Sequence, residues 1–563
     1  MNENCITPPT TTSSTSLYKS IRLPFRCTVT EFHRPLIAKS LSAAERQSNE
    51  LADEVERLKG AIMILEKRRF EVEENIKTYK SLMAPVHRTP PEVMVEIFEY
   101  CCSTNYVTRT NRKPSHSLIP PALEISMVCG RWRELAITAP SLWSSMHIVR
   151  GDVTTFQANM YRAAKLFLAR SKSHPIMLCL VSEGLQNEPD VADMFVQQST
   201  RLRSLTLSIA CDGTSGLTLG AIRGRLPILS DLALQGDLRS PDIISNVFET
   251  APALRSLSLE RNFITSNLCL PWRQIRSIRL YDSKLNRMLQ VLGLCLDLED
   301  IELVDIHPDE FDAGNHLVLH RTRRLSIATT QARCMAEAIH QITCPHLMSL
   351  EISDDGDNWN LPWNISSIAT DLLQPTCVLT SLHLQGVPAT DTDLIALLRQ
   401  VPTLQTLFVQ ESFPTSFPRE RNLKPTNMTV TSSFLRQLFL SHELLRESQH
   451  MSEIFLPNLK YLTLDIHAEG LDQRALVNAI LSRCPDPNRG RGKIHTKVDR
   501  NLPASLLSFA VTVTTRDRID SFDVLKALQC FNAAGLGVSI NIEHDVDDDD
   551  DDESDDDDED EDD

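Results

Sequence analysis

Between Leu51 and Met83 apolar residues recur at alternating steps of four and three, and only Arg69 interrupts them. The pattern predicts one long helix over residues 41–84. Val55, Ile62, Ile76 and Met83 fall at heptad position a, and Leu51, Leu58, Leu65, Val72 and Tyr79 at d. Pro85 ends it. Such a stripe needs a cover: a second copy in a two-stranded coiled coil, or the helix's own chain folding back on it. Arg69 at an a position costs stability and, in a coiled coil, acts as a specificity device.

A second pattern follows in "PPEVMVEIFEYC". Pro91 suits the first turn of a helix, and Glu92 favours its positive end. Val93, Ile97 and Cys101 recur every fourth residue, and Met94 and Phe98 widen the stripe. After a polar, basic insert from Ser103 to Ser117, "PALEISMVCGRWRELA" predicts a second helix with Leu123, Met127, Val128, Trp132 and Leu135 on one side. Pro140 breaks that helix. Ser141 caps a third short one carrying Leu142 and Trp143. Two of the five tryptophans therefore lie eleven residues apart. Packing explains the pair: two indoles, each burying about 150–250 Å², fill a core that three small helices otherwise leave hollow.

The third pattern is a repeat. An amphipathic helix over Thr154–Lys172 and a strand-like "PIMLCLV" lead into ten triplets of the form L-x-x-L-x-L. They begin at Leu202, Leu229, Leu254, Ile275, Leu298, Thr322, Leu347, Leu379, Leu404 and Leu459, the one at Thr322 being weaker. The first seven are 27, 25, 21, 23, 24 and 25 residues apart, inside the window of leucine-rich repeats. Each triplet puts two alternating apolar side chains on one face of a short strand, and the intervening residues cross back. "SPDIISNVFETAP" and "TDTDLIALLRQVP" read as crossing helices. One unit cannot bury its apolar face alone, so stacking supplies the core. The gap from Val409 to Leu459 reads as a degenerate repeat or a binding insertion. "SLLSFAVTV" and "LGVSINIEH" supply the last strands.

Charge changes this picture at one end only. The chain of 563 residues carries a net charge of −18, and 18 acidic side chains lie between Glu543 and Asp563. The rest of the chain is balanced. Residues 543–563 read as a disordered tail, solubilising or a docking surface for basic partners such as histones. Residues 1–40, rich in Ser, Thr and Pro, read as disordered. No run approaches the ~18 apolar residues of a membrane span. The N-terminus lacks the apolar heart of a secretory signal. Fourteen cysteines without CxxC spacing read as reduced thiols of the cytoplasm or nucleus. No phosphate-binding glycine loop, nucleophile elbow or zinc-protease motif is present, so neither catalytic residues nor a metal or cofactor site is assigned. The basic, glycine-rich Asn488–Lys497 reads as a solvated loop.

The segment "PPEVMVEIFEYC…ALEISMVCGRWRELAITAPSLWSSMHI" resembles an F-box, close to the version common in fungal F-box proteins. It departs from that pattern at Thr89, where a leucine is expected, and at Gly130, where an arginine is usual. The resemblance implies a three-helix F-box over 85–150, after the heptad helix and before an α/β, leucine-rich-repeat-like solenoid over 151–542. It implies a non-catalytic substrate receptor of an SCF-type ubiquitin ligase, docked on a Skp-type adaptor and through it on cullin and RING subunits. Pro91, Val93, Ile97, Phe98, Leu123, Val128 and Trp132 match the motif and are the expected adaptor contacts, with Trp143 in the F-box core. The solenoid would hold a protein target whose identity is not legible. A scaffold outside any ligase is the alternative.

Overall fold

The computed structural model describes residues 31, 34–102, 120–150, 154–182, 195–209, 219–236, 244–265, 267–308, 316–354, 365, 367–372, 377–411, 429–440, 454–468, 471–484, 503–515 and 523–544. The expectations for residues 1–30, the 103–119 insert, Asn488–Lys497 and the acidic run beyond His544 fall outside them. The chain divides into two units, Met1–Met94 and Val95–Asp563.

The first unit is dominated by α1 (Arg34–Leu82), which buries none of its residues. It begins ahead of the expected start at Leu41, so residues 34–40 are helical rather than disordered. Pro35 sits in the first turn, where its missing N–H costs nothing, and Leu36, Ala38 and Lys39 are good helix formers. A 3-10 turn at Pro85–Arg88 follows, and the unit boundary falls inside α2 (Pro91–Cys101).

The second unit is mixed α/β. Two short helices, α3 (Pro121–Val128) and α4 (Gly130–Thr138), stand where one helix was expected. Cys129 between them is extended, with φ −159°, and its Sγ accepts the Trp132 N–H as the cap of α4. Gly130, the weakest helix former in the stretch, sits at the break. A 3-10 turn, Pro140–Trp143, leads straight into β1 (Ser145–Arg150). The sheet therefore starts inside the range assigned to the short helices, because Met146 and Ile148 already alternate with His147.

Helix α5 (Thr154–Arg170) precedes β2 (Ile176–Ser182) and β3 (Leu202–Ile209). Strands β4 (Asp231–Gln235), β5 (Ser256–Glu260), β6 (Ser277–Lys284) and β7 (Asp300–His307) follow, with α6 (Leu285–Leu294) between the last two. A minor pair, β8 (Leu317–Val318) and β10 (Ile342–Thr343), flanks β9 (Arg324–Thr329) and α7 (Ala332–Gln341). Then come β11 (Ser349–Asp354), α8 (Ser367–Asp371), β12 (Ser381–Gln385), α9 (Asp391–Arg399) and β13 (Thr406–Gln410). The described residues end in α10 (Ser432–Leu438), β14 (Tyr461–His467), α11 (Gln473–Ser482), β15 (Ser508–Thr515), α12 (Asp523–Lys526) and β16 (Gly537–His544). Apart from the minor pair, the strands form one open, 14-stranded sheet in sequence order, and every pairing is parallel.

Register explains the repeat. The second and third residues of each triplet stand beside their counterparts on the next strand: Leu205, Leu232, Leu257, Ile278, Ile301 and Leu325 in one row, and Leu207, Leu234, Leu259, Leu280, Leu303 and Ile327 in the other. Both rows continue through β15 as Phe509 and Val511, and from β3 to β15 every member is buried. The first residue of each triplet is buried as well, including Thr322, whose hydroxyl is satisfied by the Leu298 carbonyl at 3.2 Å. At roughly 25 cal/mol per Å² these rows are the main stabilising term of the unit. On their far side α6 packs on β6 and β7, and α7 on β7 and β9. From α7 to α12 each helix touches the next. The earlier crossings are tighter: Ile244–Thr250 forms turns instead of the expected helix, and Ile243, Ile244, Val247 and Thr250 are all β-branched. Strand β13 pairs directly with β14, so the long gap between them is an insertion between adjacent strands.

Two buried charges pin this insertion. The Glu411 carboxylate accepts the N–H groups of Thr429, Val430 and His467 at 3.0, 2.8 and 3.1 Å. Arg483, buried, donates to the carbonyls of Leu438, Leu456 and Phe455 at 2.7, 2.8 and 2.6 Å. Burial pulls its guanidinium down to about 10.

Candidate functional site

The short helices of the second unit are held by few, specific contacts. On α2, Phe98 and Cys102 are buried one turn apart, in line with Met94. The inward stripe is thus Met94, Phe98 and Cys102, and the expected stripe of Val93, Ile97 and Cys101 faces solvent. The Phe98 ring lies 4.9 Å from the Trp132 ring at a tilt of 56°. Ser141 donates to the Glu99 carboxylate at 2.5 Å, and Arg133 of α4 donates to the Ser126 carbonyl of α3 at 2.9 Å.

Trp143 is fully buried and donates its indole N–H to the Ala136 carbonyl at 2.7 Å. Its ring meets Phe167 of α5 edge-on at 5.0 Å, and the Arg170 guanidinium sits 4.3 Å from its centroid. Trp143 is therefore more than a core residue of the short helices. It joins them to the first helix of the sheet.

The seven residues read as adaptor contacts separate by exposure. Pro91 and Val93, in the first unit, and Ile97 and Val128, in the second, are exposed; Leu123 and Trp132 are half-buried. Phe98, 1% exposed, is interior and not available to a partner. Sequence periodicity could not make that distinction, because both faces of α2 are apolar. Two further apolar residues are exposed on the same helices. Tyr100 lies one turn from Ile97, and Met127 sits beside Val128. In a segment this small, Ile97 is 47% exposed, Tyr100 81%, Met127 54% and Val128 60%, a concentration that isolated surface apolar residues do not reach.

The second surface is the polar face of the sheet, formed by the residues between the leucine rows. Arg279 of β6 holds Glu302 of β7 through two hydrogen bonds of 2.6 Å. His383 of β12 and Phe408 of β13 bring their rings to 5.6 Å. Burial, with the Glu260 carboxylate adding to it, pushes the Tyr281 phenol up to about 12.

At the strand exits Gly236, Arg261, Asp282 and Asp305, on four successive strands, all have left-handed φ of 96, 41, 58 and 50°. Burial raises the Asp282 carboxyl, but hydrogen bonds from Arg261 at 2.6 Å and His307 at 2.7 Å outweigh it and leave it lowered. These rims and rows present mixed-sign, hydrogen-bonding side chains. Among the described residues no group of three or more His, Cys, Asp or Glu side chains is gathered to hold a metal ion, and no helix is long and apolar enough to cross a membrane. No family model matches the chain, and no curated protein matches it significantly.

Proposed function

We propose that this chain is the substrate-receiving subunit of an SCF-type ubiquitin ligase. In this reading the segment from α2 to Trp143 is an F-box that docks on a Skp-type adaptor. The parallel sheet is a leucine-rich-repeat-like solenoid whose polar face takes the target protein. Ubiquitin transfer takes place on the cullin and RING subunits, and the chain itself is non-catalytic, working in the cytoplasm or nucleus.

The observation that carries the reading is the outward apolar set Ile97, Tyr100, Met127 and Val128 on helices whose interior Phe98 and Trp132 already fill. Side chains of this kind give a stable partner face an apolar centre. The in-register leucine rows support the solenoid, since each strand's apolar face is completed by its neighbours.

The test is co-expression of the full chain with a Skp-type adaptor. A stoichiometric complex is expected, and Ile97→Asp with Val128→Asp should abolish it while leaving the circular dichroism spectrum unchanged. A full chain that purifies stably without the adaptor, and does not bind it when mixed, points instead to a scaffold outside any ligase.

A further inference from the structure

We infer that α1 pairs with α1 of a second copy of this chain as a parallel, in-register coiled coil. From Leu51 to Tyr79, eight of the nine heptad core positions are apolar, and all eight are exposed. Among the described residues nothing buries them: α1 has no buried residue. The stripe from Leu51 to Tyr79 spans 29 residues, about 44 Å at about 1.5 Å each, and an apolar stripe of that length is not stable in water uncovered.

Charge selects the occupant and its direction. In a parallel pair each g residue faces the e residue of the partner's next heptad. Glu54 then meets the partner's Lys59, and Arg68 meets the partner's Glu73. The remaining two positions pair Ala61 with the partner's Glu66, and Asn75 with the partner's Lys80, so no like charges meet at the e and g positions. An antiparallel pair overlapped over Leu51–Met83 places Arg68 against the partner's Arg68 and Glu66 against the partner's Glu66. In the single chain Glu54 binds Arg57 and Lys59 binds Glu56, both on the outer side of the heptad, so neither contact blocks the seam.

Arg69 fixes the register. In register, both copies of Arg69 share one layer, each 3.4 Å from its own Glu73, the carboxylate that also faces the partner's Arg68. A slip of one heptad sets each against an isoleucine, Ile62 or Ile76, and strands two charges among apolar side chains instead of one pair. The inference is independent of the adaptor reading, because it uses residues of the first unit alone and is read from mass.

The experiment is sedimentation equilibrium of the full chain. A species of about 127 kDa is expected, twice the chain mass of 63.4 kDa. Leu58→Glu with Leu65→Glu should return it to the monomer mass with helicity retained. A wild-type chain that stays monomeric at 100 µM (about the highest practical loading), or a dimer indifferent to Leu58→Glu and Leu65→Glu, overturns the inference.

Direction is read from a charge exchange. Glu54→Lys and Lys59→Glu should each raise the dimer Kd about tenfold, and the two together should restore it to within about threefold. If Glu54→Lys is silent and the two changes simply add, the pair is not parallel.

Discussion

The indole of Trp143 stands edge-on to the ring of Phe167, 5.0 Å away, with its N–H committed to the Ala136 carbonyl. One side chain thereby ties the last turn of the short helices to the helix that follows β1. Trp143→Ala should destabilise the second unit by about 3–5 kcal/mol, through the lost packing and the cavity left behind. Trp143→Phe keeps a ring and loses the hydrogen bond, for about 1–3 kcal/mol. Urea denaturation followed by circular dichroism measures both.

Neighbouring residues of α2 should separate core from partner face. Phe98→Ala is expected to cost about 3–5 kcal/mol, because the ring is buried against Trp132. Ile97→Asp changes an exposed position and should stay within about 0.5 kcal/mol of the parent. The same denaturation series checks the contrast; equal losses at both positions would remove the distinction between the two faces.

Gly386, where the chain leaves β12, has φ +64°, and a Cβ there would lie 2.3 Å from the Asp354 carbonyl oxygen. Gly386→Ala should therefore cost about 2 kcal/mol or more, combining left-handed strain with a backbone clash. Hydrogen exchange should show the loss concentrated at β11 and β12, where the displaced carbonyl belongs.

Burial raises the Cys295 and Cys344 thiols to about 12, from an ordinary value near 9. Iodoacetamide at pH 8 should modify exposed Cys101 and Cys269 and spare both buried thiols until denaturant is added, as read by peptide mass spectrometry. The unfolded chain releases these protons near pH 9, whereas the folded one holds them to about pH 12. Their contribution to stability is thus complete below about pH 9 and is lost as pH climbs toward 12. A urea midpoint that held steady across that interval would contradict it.

The sheet was legible because its signal is a spacing. Leu-x-x-Leu-x-Leu places the second and third residues on one side of a strand, and the structure sets each beside its counterpart on the next. Even Thr322, a polar residue at a leucine position, keeps the series by satisfying its hydroxyl internally.

What the spacing could not give was orientation and connection. Helix α2 carries apolar residues over most of its circumference, leaving only the side of Glu92, Glu96 and Glu99 polar, so periodicity alone could not say that Phe98 turns inward and Ile97 outward. The break at Cys129 depends on one cap contact to Trp132, and the turns of Ile244–Thr250 on modest propensities that an amphipathic pattern conceals. The buried Glu411 and Arg483 look like surface residues in the sequence. Their roles come from backbone groups 18 to 56 residues away.

An open parallel ladder has ends. At the last strand of the order, β16, backbone N–H and C=O groups face outward with no fifteenth strand among the described residues to receive them, and any extended segment of matching length could continue the hydrogen bonding. The chain runs from that strand directly into its acidic run, which starts at Glu543. A second molecule pairing through its own β16 brings the same dense negative charge to that edge. Growth by strand addition is opposed by self-repulsion at the very position where geometry would permit it.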